Sequence, residues 1–177
     1  MKAIINLYKQ NSCFSKNITT DNIKLIMSKN NIKKVIYLCL KNVFSTKRIS
    51  EIKCIILDIN FVDKNTIMYY NHKFRGIDNV TNVLSFANNV FTKNGHDINN
   101  NISILALGEI LMCCDKILEE SQEYHKTFME RYMHILIHSI LHLLGYDHID
   151  NQERLQMERL EGQILSQLGI YHPYSMD

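Results

Sequence analysis

The chain has 177 residues, of which 46% are hydrophobic, and a formal net charge of +2 at pH 7. This length fits one compact domain, since domains commonly hold about 100–200 residues, and the apolar content allows a full core without disulfides. The small charge does not by itself indicate a nucleic-acid-binding protein, and it does not exclude one, because a local basic cleft can lie on a near-neutral chain. Any nucleic-acid function must therefore be inferred from a site.

The N-terminal segment MKAIINLYKQN has neither the run of about 7–15 apolar residues nor the small-residue cleavage site of a signal peptide. No segment reaches the roughly 18 apolar residues of a membrane span. The five cysteines include no CxxC pair, and such an odd set is typical of reduced thiols in the cytosol. We therefore expect a cytoplasmic protein that has no membrane partner and no nucleotide cofactor.

The first part of the chain predicts a strand followed by a helical region. Residues 2–8 form an apolar run typical of a strand. Thr20 and Asp21 are predicted N-caps, because their side-chain oxygens can accept the free backbone N–H groups of a first helical turn. Apolar residues then recur at helical spacing as far as Val43, and Asn30-Asn31 are predicted to break this pattern.

Three further strands and two irregular segments follow. The strands are predicted at residues 52–59, 82–87 and 103–111, where β-branched and other apolar residues cluster. Asp63 is expected to cap a helix between the first two of these strands. The sequence from Arg75 to Asn79 predicts a turn or loop. Residues 92–101 have almost no core-forming side chains, which predicts a mobile surface loop.

The last part of the chain predicts helices at residues 113–125, 127–144 and 151–167, and the second of these is very apolar. Strands come first in mixed order and the helix-rich part comes last, which favours an α+β fold. We expect residues 1–177 to form a single domain in which a mixed four-stranded sheet packs against helices.

Three histidines at the end of the apolar helix predict a metal site. His138 and His142 are about one helical turn apart, so they project from one face and can bind one ion at about 2.0–2.1 Å. A third ligand requires the chain to leave the helix, and Gly145 allows this because a helix end favours a residue that can take positive φ. His148 then reaches the ion from the turn.

Three protein ligands leave a fourth position for water, which is the arrangement of catalytic zinc sites. Zinc lowers the pKa of such a water to about 7. The prediction is one Zn²⁺ ion per chain that serves hydrolysis, although other divalent ions also suit three histidines.

Two neighbours of the three histidines have open roles. His134 lies one turn before His138 on nearly the same face. It is a candidate fourth ligand, a candidate substrate contact, or a core or supporting residue. Asp147 is either an acceptor for a ligand histidine or a turn residue.

The histidine spacing is shared with metzincin proteases, in which a glutamate after the first histidine is the general base. Ser139 occupies that position here, and a hydroxyl cannot replace a carboxylate as proton acceptor. A peptide hydrolase is therefore a weaker hypothesis. A non-catalytic protein with a structural zinc, whose fourth position is closed by a side chain, also stays open.

In combination the motifs resemble the YbeY-type endoribonucleases, metalloenzymes of ribosomal RNA maturation. The family motif is a histidine, three residues, a histidine, five residues and a histidine, and the chain matches it with HLLGYDH at its end. The other matching segments are NHKFR at 71–75, TNVLSF at 81–86, LGEI at 107–110 and the end from Ile164 to Tyr174. The resemblance spans roughly residues 50–174.

This resemblance implies a single-strand-specific, zinc-dependent endoribonuclease that acts in 3′-end maturation of 16S ribosomal RNA and in ribosome quality control. The implied partner is the small ribosomal subunit. The resemblance also implies that Arg75 is catalytic together with His138 and His142, and its planar, always charged guanidinium suits phosphate oxygens. Lys73, Ser85 and His134 are candidate substrate-binding residues.

Three residues depart from the family pattern. Ser139 replaces a usual glycine, Ala87 replaces a proline, and Glu109 replaces the aspartate of LGDI. None of these changes removes a metal ligand. We expect Ala87 and Glu109 to loosen the cleft wall, and Ser139 to add bulk beside the metal-binding helix.

Overall fold

The computed structural model describes residues 1–88, 91–92, 96–97, 103–148 and 150–170. These residues form an α+β fold with a mixed four-stranded sheet and seven helices. The fold class predicted from the sequence is therefore confirmed. Within the described residues, no helix is both long enough and apolar enough to cross a membrane.

The strands are β1 (Lys2–Lys9), β2 (Cys54–Phe61), β3 (Val83–Ala87), β4 (Phe91–Thr92), β5 (His96–Asp97) and β6 (Ile104–Met112). The main sheet has the order β1-β2-β6-β3, in which β1, β2 and β6 run parallel and β3 is an antiparallel edge strand. Strands β4 and β5 form a short antiparallel ladder. The rest of the surface loop predicted at residues 92–101 lies outside the described residues.

The helices are α1 (Thr20–Ile26), α2 (Lys29–Val43), α3 (Thr46–Glu51), α4 (Lys64–Arg75), α5 (Cys114–Glu123), α6 (Phe128–Leu143) and α7 (Asn151–Gln167). The sequence predicts the bounds of α7 correctly and those of α6 to within one residue.

The caps predicted at Thr20 and Asp21 are wrong, because the side chain of Thr19 accepts the hydrogen bond that starts α1. The break predicted at Asn30-Asn31 is also wrong. The chain breaks just before α2, where the Ser28 hydroxyl accepts from the backbone N–H of Asn31 and so starts a new helix.

Helix α4 begins where the sequence predicts and extends further than predicted. The Asp63 carboxylate accepts from the Thr66 backbone N–H at 2.8 Å, as an N-cap should. Arg75 is the last residue of α4, and the turn begins at Gly76, which has a φ of +68°. Arg75 is therefore a helix-end residue, whereas the sequence predicts a loop residue.

The two faces of the main sheet pack against different helices. One face belongs to the main core, which also contains buried residues of α2, α6 and α7. The other face contributes Leu84 and Leu111 to a smaller cluster with Ile67 of α4. Strand β3 alternates accordingly, since Val83 belongs to the main core and Leu84 to the smaller cluster. Helices α6 and α4 therefore lie on opposite faces of the sheet.

Candidate metal centre

Helix α6 is fixed at both ends. At its start the Thr127 hydroxyl accepts from the Glu130 backbone N–H and the Glu130 carboxylate accepts from the Thr127 backbone N–H, which is a capping box. At its end Gly145 has a φ of +86°, as the sequence predicts. The Tyr146 backbone N–H then donates to the Leu141 carbonyl at 3.0 Å. This turn brings the chain back toward the last turn of α6.

The three predicted histidines converge. One ligand atom each from His138, His142 and His148 lies within 4.8 Å of the others. The two Nε2 atoms of His138 and His142 are 3.0 Å apart. The His148 ring centroid lies 5.5 Å from that of His138 and 5.1 Å from that of His142. Within the part of the chain that the structure describes, no fourth histidine, cysteine or carboxylate belongs to this group.

Hydrogen bonds fix which nitrogens of two of these rings carry the proton. His142 Nδ1 lies 2.9 Å from the Tyr146 carbonyl oxygen, which can only accept, so Nδ1 carries the hydrogen. His138 Nδ1 lies 2.7 Å from Oε1 of Glu161. If Glu161 is ionised, His138 Nδ1 is also the donor, and the Nε2 atoms of both rings are free to bind an ion.

The hydrogen bonds of Glu161 support an ionised carboxylate. Glu161 is only 1% exposed, and burial alone raises the pKa of a carboxyl group. Hydrogen bonds from His134 and His138 outweigh this effect and hold the pKa of Glu161 well below its ordinary value. Glu161 therefore accepts a hydrogen bond at each oxygen.

The donor set fits a divalent cation. Burial, together with the nearby His138 and His148, lowers the pKa of His142 to about 4. A proton on His142 Nε2 is thus disfavoured at neutral pH, and two nitrogen lone pairs face each other across 3.0 Å. Such lone pairs repel unless a cation lies between them. Neutral imidazoles are preferred ligands of zinc and related ions, at about 2.0–2.1 Å for zinc.

The neighbours with open roles now have defined contacts. His134 is buried, lies outside the group of three, and contacts Oε2 of Glu161 through Nε2 at 3.0 Å. Asp147 Oδ1 accepts from the His148 backbone N–H at 2.8 Å and lies 4.0 Å from His142 Nδ1. Since His142 donates to the Tyr146 carbonyl, Asp147 holds the turn.

Glu161 is the residue that the sequence analysis misses. It lies on α7, which is separated from the histidine motif in the sequence. A signal was nevertheless present, because Met157, Glu161, Ile164 and Leu165 are all buried at helical spacing. A carboxylate in the apolar face of an amphipathic helix requires a buried partner.

Within the described part of the chain, the residues that depart from the family pattern form no hydrogen bond with the three histidines. The fully buried Ser139 hydroxyl donates to the Ile135 carbonyl of the same helix at 2.7 Å. Glu109 accepts from Asn60 at 2.7 Å and lines a cavity on the α4 side of the sheet. Ala87 is exposed at the end of β3.

The other predicted site residues are distributed around β3. The exposed Arg75 side chain makes no hydrogen bond or ion pair with any described residue, and no contact joins it to the three histidines. The Lys73 ammonium lies 5.4 Å from the Phe74 ring centroid. Ser85 has the same orientation as Val83, toward the main core, and its buried hydroxyl has no hydrogen-bond partner among the described residues.

An aromatic surface lies beside Arg75 on the α4 side of the sheet. The Phe74 ring is stacked on Tyr70 at 6.0 Å and meets the edge of Phe86 at 5.0 Å. Phe74 is 56% exposed. These three rings line a cavity of about 530 Å³, together with Tyr8, Asn60 and Glu109. We call Tyr70, Phe74 and Phe86 the aromatic surface.

Comparisons with known proteins agree with the motifs. A family model described as Endoribonuclease YbeY matches residues 17–169. Two similar proteins named Endoribonuclease YbeY come from Ruthia magnifica subsp. Calyptogena magnifica and Vesicomyosocius okutanii subsp. Calyptogena okutanii. They are 41% and 40% identical over 116 residues, which cover 66% of this chain and 74% of each relative. The solution structure of TM1509 from Thermotoga maritima covers 98% of this chain and 97% of its own, with 21% identity and a TM-score of 0.49.

Proposed function

The chain belongs to the YbeY endoribonuclease family, and on this premise we propose that it is a zinc-dependent hydrolase that cuts single-stranded RNA. One observation carries the metal dependence. The hydrogen bonds of His138 and His142 leave their Nε2 atoms unprotonated and facing each other at 3.0 Å, with His148 beside them.

The chain's own residues have distinct tasks in this proposal. His138, His142 and His148 hold the ion, which when bound lowers the pKa of a water molecule and polarises a phosphate oxygen. Glu161 and the Tyr146 carbonyl orient the His138 and His142 rings. Arg75 binds the phosphate, because its exposed guanidinium has no partner among the described residues and offers a planar set of donors.

The aromatic surface supports a single-stranded substrate. Unpaired bases stack on exposed aromatic rings, and this stacking is worth about 1–3 kcal/mol per base. Bases inside a duplex are stacked on each other and cannot use such a surface. The Lys73 ammonium next to Phe74 adds a positive charge for the backbone.

We further propose that the substrate is the 3′ end of 16S ribosomal RNA, that the protein acts with the small ribosomal subunit in the cytoplasm, and that it serves ribosome quality control. This part of the proposal rests on the family resemblance of the HLLGYDH motif and of the segment that ends at Arg75.

The two competing hypotheses lack support in the contacts. A peptide hydrolase needs a carboxylate as general base, but the Ser139 hydroxyl is bonded within its helix and both oxygens of Glu161 accept from histidines. A structural zinc needs a fourth protein ligand, and the described residues supply three.

A cleavage assay tests the proposal. The zinc-loaded protein is incubated with an end-labelled RNA strand, alone and annealed to its complement. We expect cleavage of the single strand and protection of the duplex. Arg75→Ala should lower kcat/KM about 100-fold, as loss of one charge-stabilising donor does.

Two variants control this assay. Arg159→Ala removes another exposed arginine, on α7, and should cleave at the wild-type rate. His142→Ala should be inactive, so cleavage in that preparation reveals a contaminating nuclease. Uncut single-stranded RNA, equal cleavage of the duplex, or full activity of Arg75→Ala contradicts the proposal.

A further inference from the structure

A partly buried chain of hydrogen bonds leads from Arg131 to the metal ligand His138. Arg131 Nη1 lies 3.1 Å from His134 Nδ1. His134 Nε2 lies 3.0 Å from Oε2 of Glu161, and Oε1 of Glu161 lies 2.7 Å from His138 Nδ1. Three of the four side chains belong to α6, and Glu161 belongs to α7.

The chemistry of arginine and of an ionised carboxylate determines the direction of every bond in this chain. A guanidinium stays protonated in proteins and has no acceptor. Therefore His134 Nδ1 must accept from Arg131, and the hydrogen of the neutral His134 ring is at Nε2. That hydrogen is donated to Glu161. The other carboxylate oxygen is left to accept from His138 Nδ1, so His138 Nε2 carries no hydrogen.

Arg131 is itself held in one orientation. Its Nε and Nη2 atoms donate to the same oxygen of Glu120, at 3.0 and 2.7 Å. The Glu120 carboxylate also accepts from Asn82 Nδ2 at 2.9 Å, and the Tyr124 ring lies 5.1 Å from the guanidinium carbon. Because two donors are committed to Glu120, the guanidinium plane is fixed and Nη1 points at His134.

We propose that Arg131 is a positioning residue of the metal centre, which acts through His134 and Glu161 to fix the tautomer and ring orientation of His138. His138 then presents Nε2 to the ion without rearrangement. This rests on the proposed function only in that the three histidines hold the ion. The alternative is that Arg131 has only a structural role and joins α5 to α6 through its ion pair with Glu120. That role does not need the Nη1 atom.

Two substitutions of His134 separate these roles. His134→Gln can keep the order of donors, because its amide oxygen accepts from Arg131 and its NH₂ group donates to Glu161. His134→Leu breaks the chain at the same position. Arg131→Met breaks it at its origin, and Arg154→Met removes a surface arginine paired with Glu158 as the matched control. The pair at His134 decides the test if Arg131→Met does not fold.

The first measurement is the ¹⁵N chemical shift of both His138 ring nitrogens in the metal-free, full-length protein near neutral pH. We expect a protonated Nδ1 and an unprotonated Nε2 in the wild type, in Arg154→Met and in His134→Gln. In His134→Leu and Arg131→Met we expect a mixture of tautomers. This readout does not depend on RNA cleavage, so it stands even if the proposed function fails.

The second measurement is zinc affinity by competition with a chelating dye. Loss of a contact that orients a ligand lowers metal affinity by about 10–100-fold, and we expect this for His134→Leu and Arg131→Met. His134→Gln and Arg154→Met should bind zinc as the wild type does. The proposal is overturned if the two chain-breaking variants keep the wild-type tautomer and affinity and lose only stability. It is equally overturned if His134→Gln is as impaired as His134→Leu.

Discussion

Residue 108 has room for a hydrogen atom and nothing larger. A Cβ atom at Gly108 would lie 2.1 Å from the backbone oxygen of Phe86, and its φ of +130° is one that side-chain-bearing residues rarely adopt. We predict that Gly108→Ala lowers the free energy of unfolding by more than about 3 kcal/mol, because strain and a backbone clash act together. Urea unfolding followed by circular dichroism measures this loss.

Gly169→Ala is the matched control for this prediction. Gly169 also has positive φ, at +73°, but a Cβ atom there meets nothing within 4 Å. Only the backbone strain of about 1–2 kcal/mol should appear. Equal losses for the two variants contradict the account of close contact between β6 and β3.

The three candidate metal ligands were predictable residue by residue, and the residues that contact them were not. The spacing of His138, His142 and His148 predicts that they converge. His138 and His142 are one helical turn apart, and Gly145 lets the chain leave the helix so that His148 approaches them. Glu161 and Arg131 act through contacts between helices. Their positions depend on how α7 and α5 pack on α6. The periodicity of residues within one helix does not predict this packing.

Helix α4 depends on its N-cap, Asp63, for the position of its last residue, Arg75. The Asp63 carboxylate accepts from Ser12 at 2.7 Å and from the Thr66 backbone N–H at 2.8 Å. These hydrogen bonds, with that of Ser12 the strongest, hold the pKa of Asp63 below its usual range. We predict that Asp63→Ala lowers the free energy of unfolding by about 1 kcal/mol at pH 7.

This loss should depend on pH in a defined direction. A carboxyl group with a lowered pKa in the folded state stabilises the fold above its unfolded pKa of about 3.9, and the contribution disappears as the pH falls through the folded pKa. The gap between wild type and Asp63→Ala in urea unfolding should therefore shrink below about pH 4. Asp63→Asn keeps a capping oxygen and should lose less at pH 7. A gap of constant size from pH 7 to pH 3 contradicts the assignment.

At the level of elements, the sequence predicts most of the strands and helices but not every boundary. The apolar pattern of α7 predicts where this helix begins and ends. The break before α2 was misplaced because one hydroxyl, that of Ser28, outweighs the low helix propensity of Asn30-Asn31. The assignment of α4 and α6 to opposite faces of the sheet comes from packing between distant segments.

At the level of the whole molecule, the edge strand β3 stands between the two parts of the proposed active site. Val83 and Ser85 are oriented toward the α6 side, which carries the three histidines. Phe86, a member of the aromatic surface, is oriented toward the α4 side. Because β3 is the outermost strand of the main sheet, we propose that a single RNA strand passes around this edge and contacts both sides. A rigid duplex cannot make that path, which agrees with the proposed preference for single strands.

The central claim is that RNA cleavage depends on an ion held by the three histidines, and titration of cleavage activity with zinc tests it most directly. The chelated protein should not cut single-stranded RNA, and zinc should restore the rate to a plateau at one equivalent per chain. His148→Ala changes an exposed ligand, so it should fold normally and need at least about tenfold more zinc. Full activity after chelation, or recovery of His148→Ala at the wild-type zinc concentration, would contradict the account.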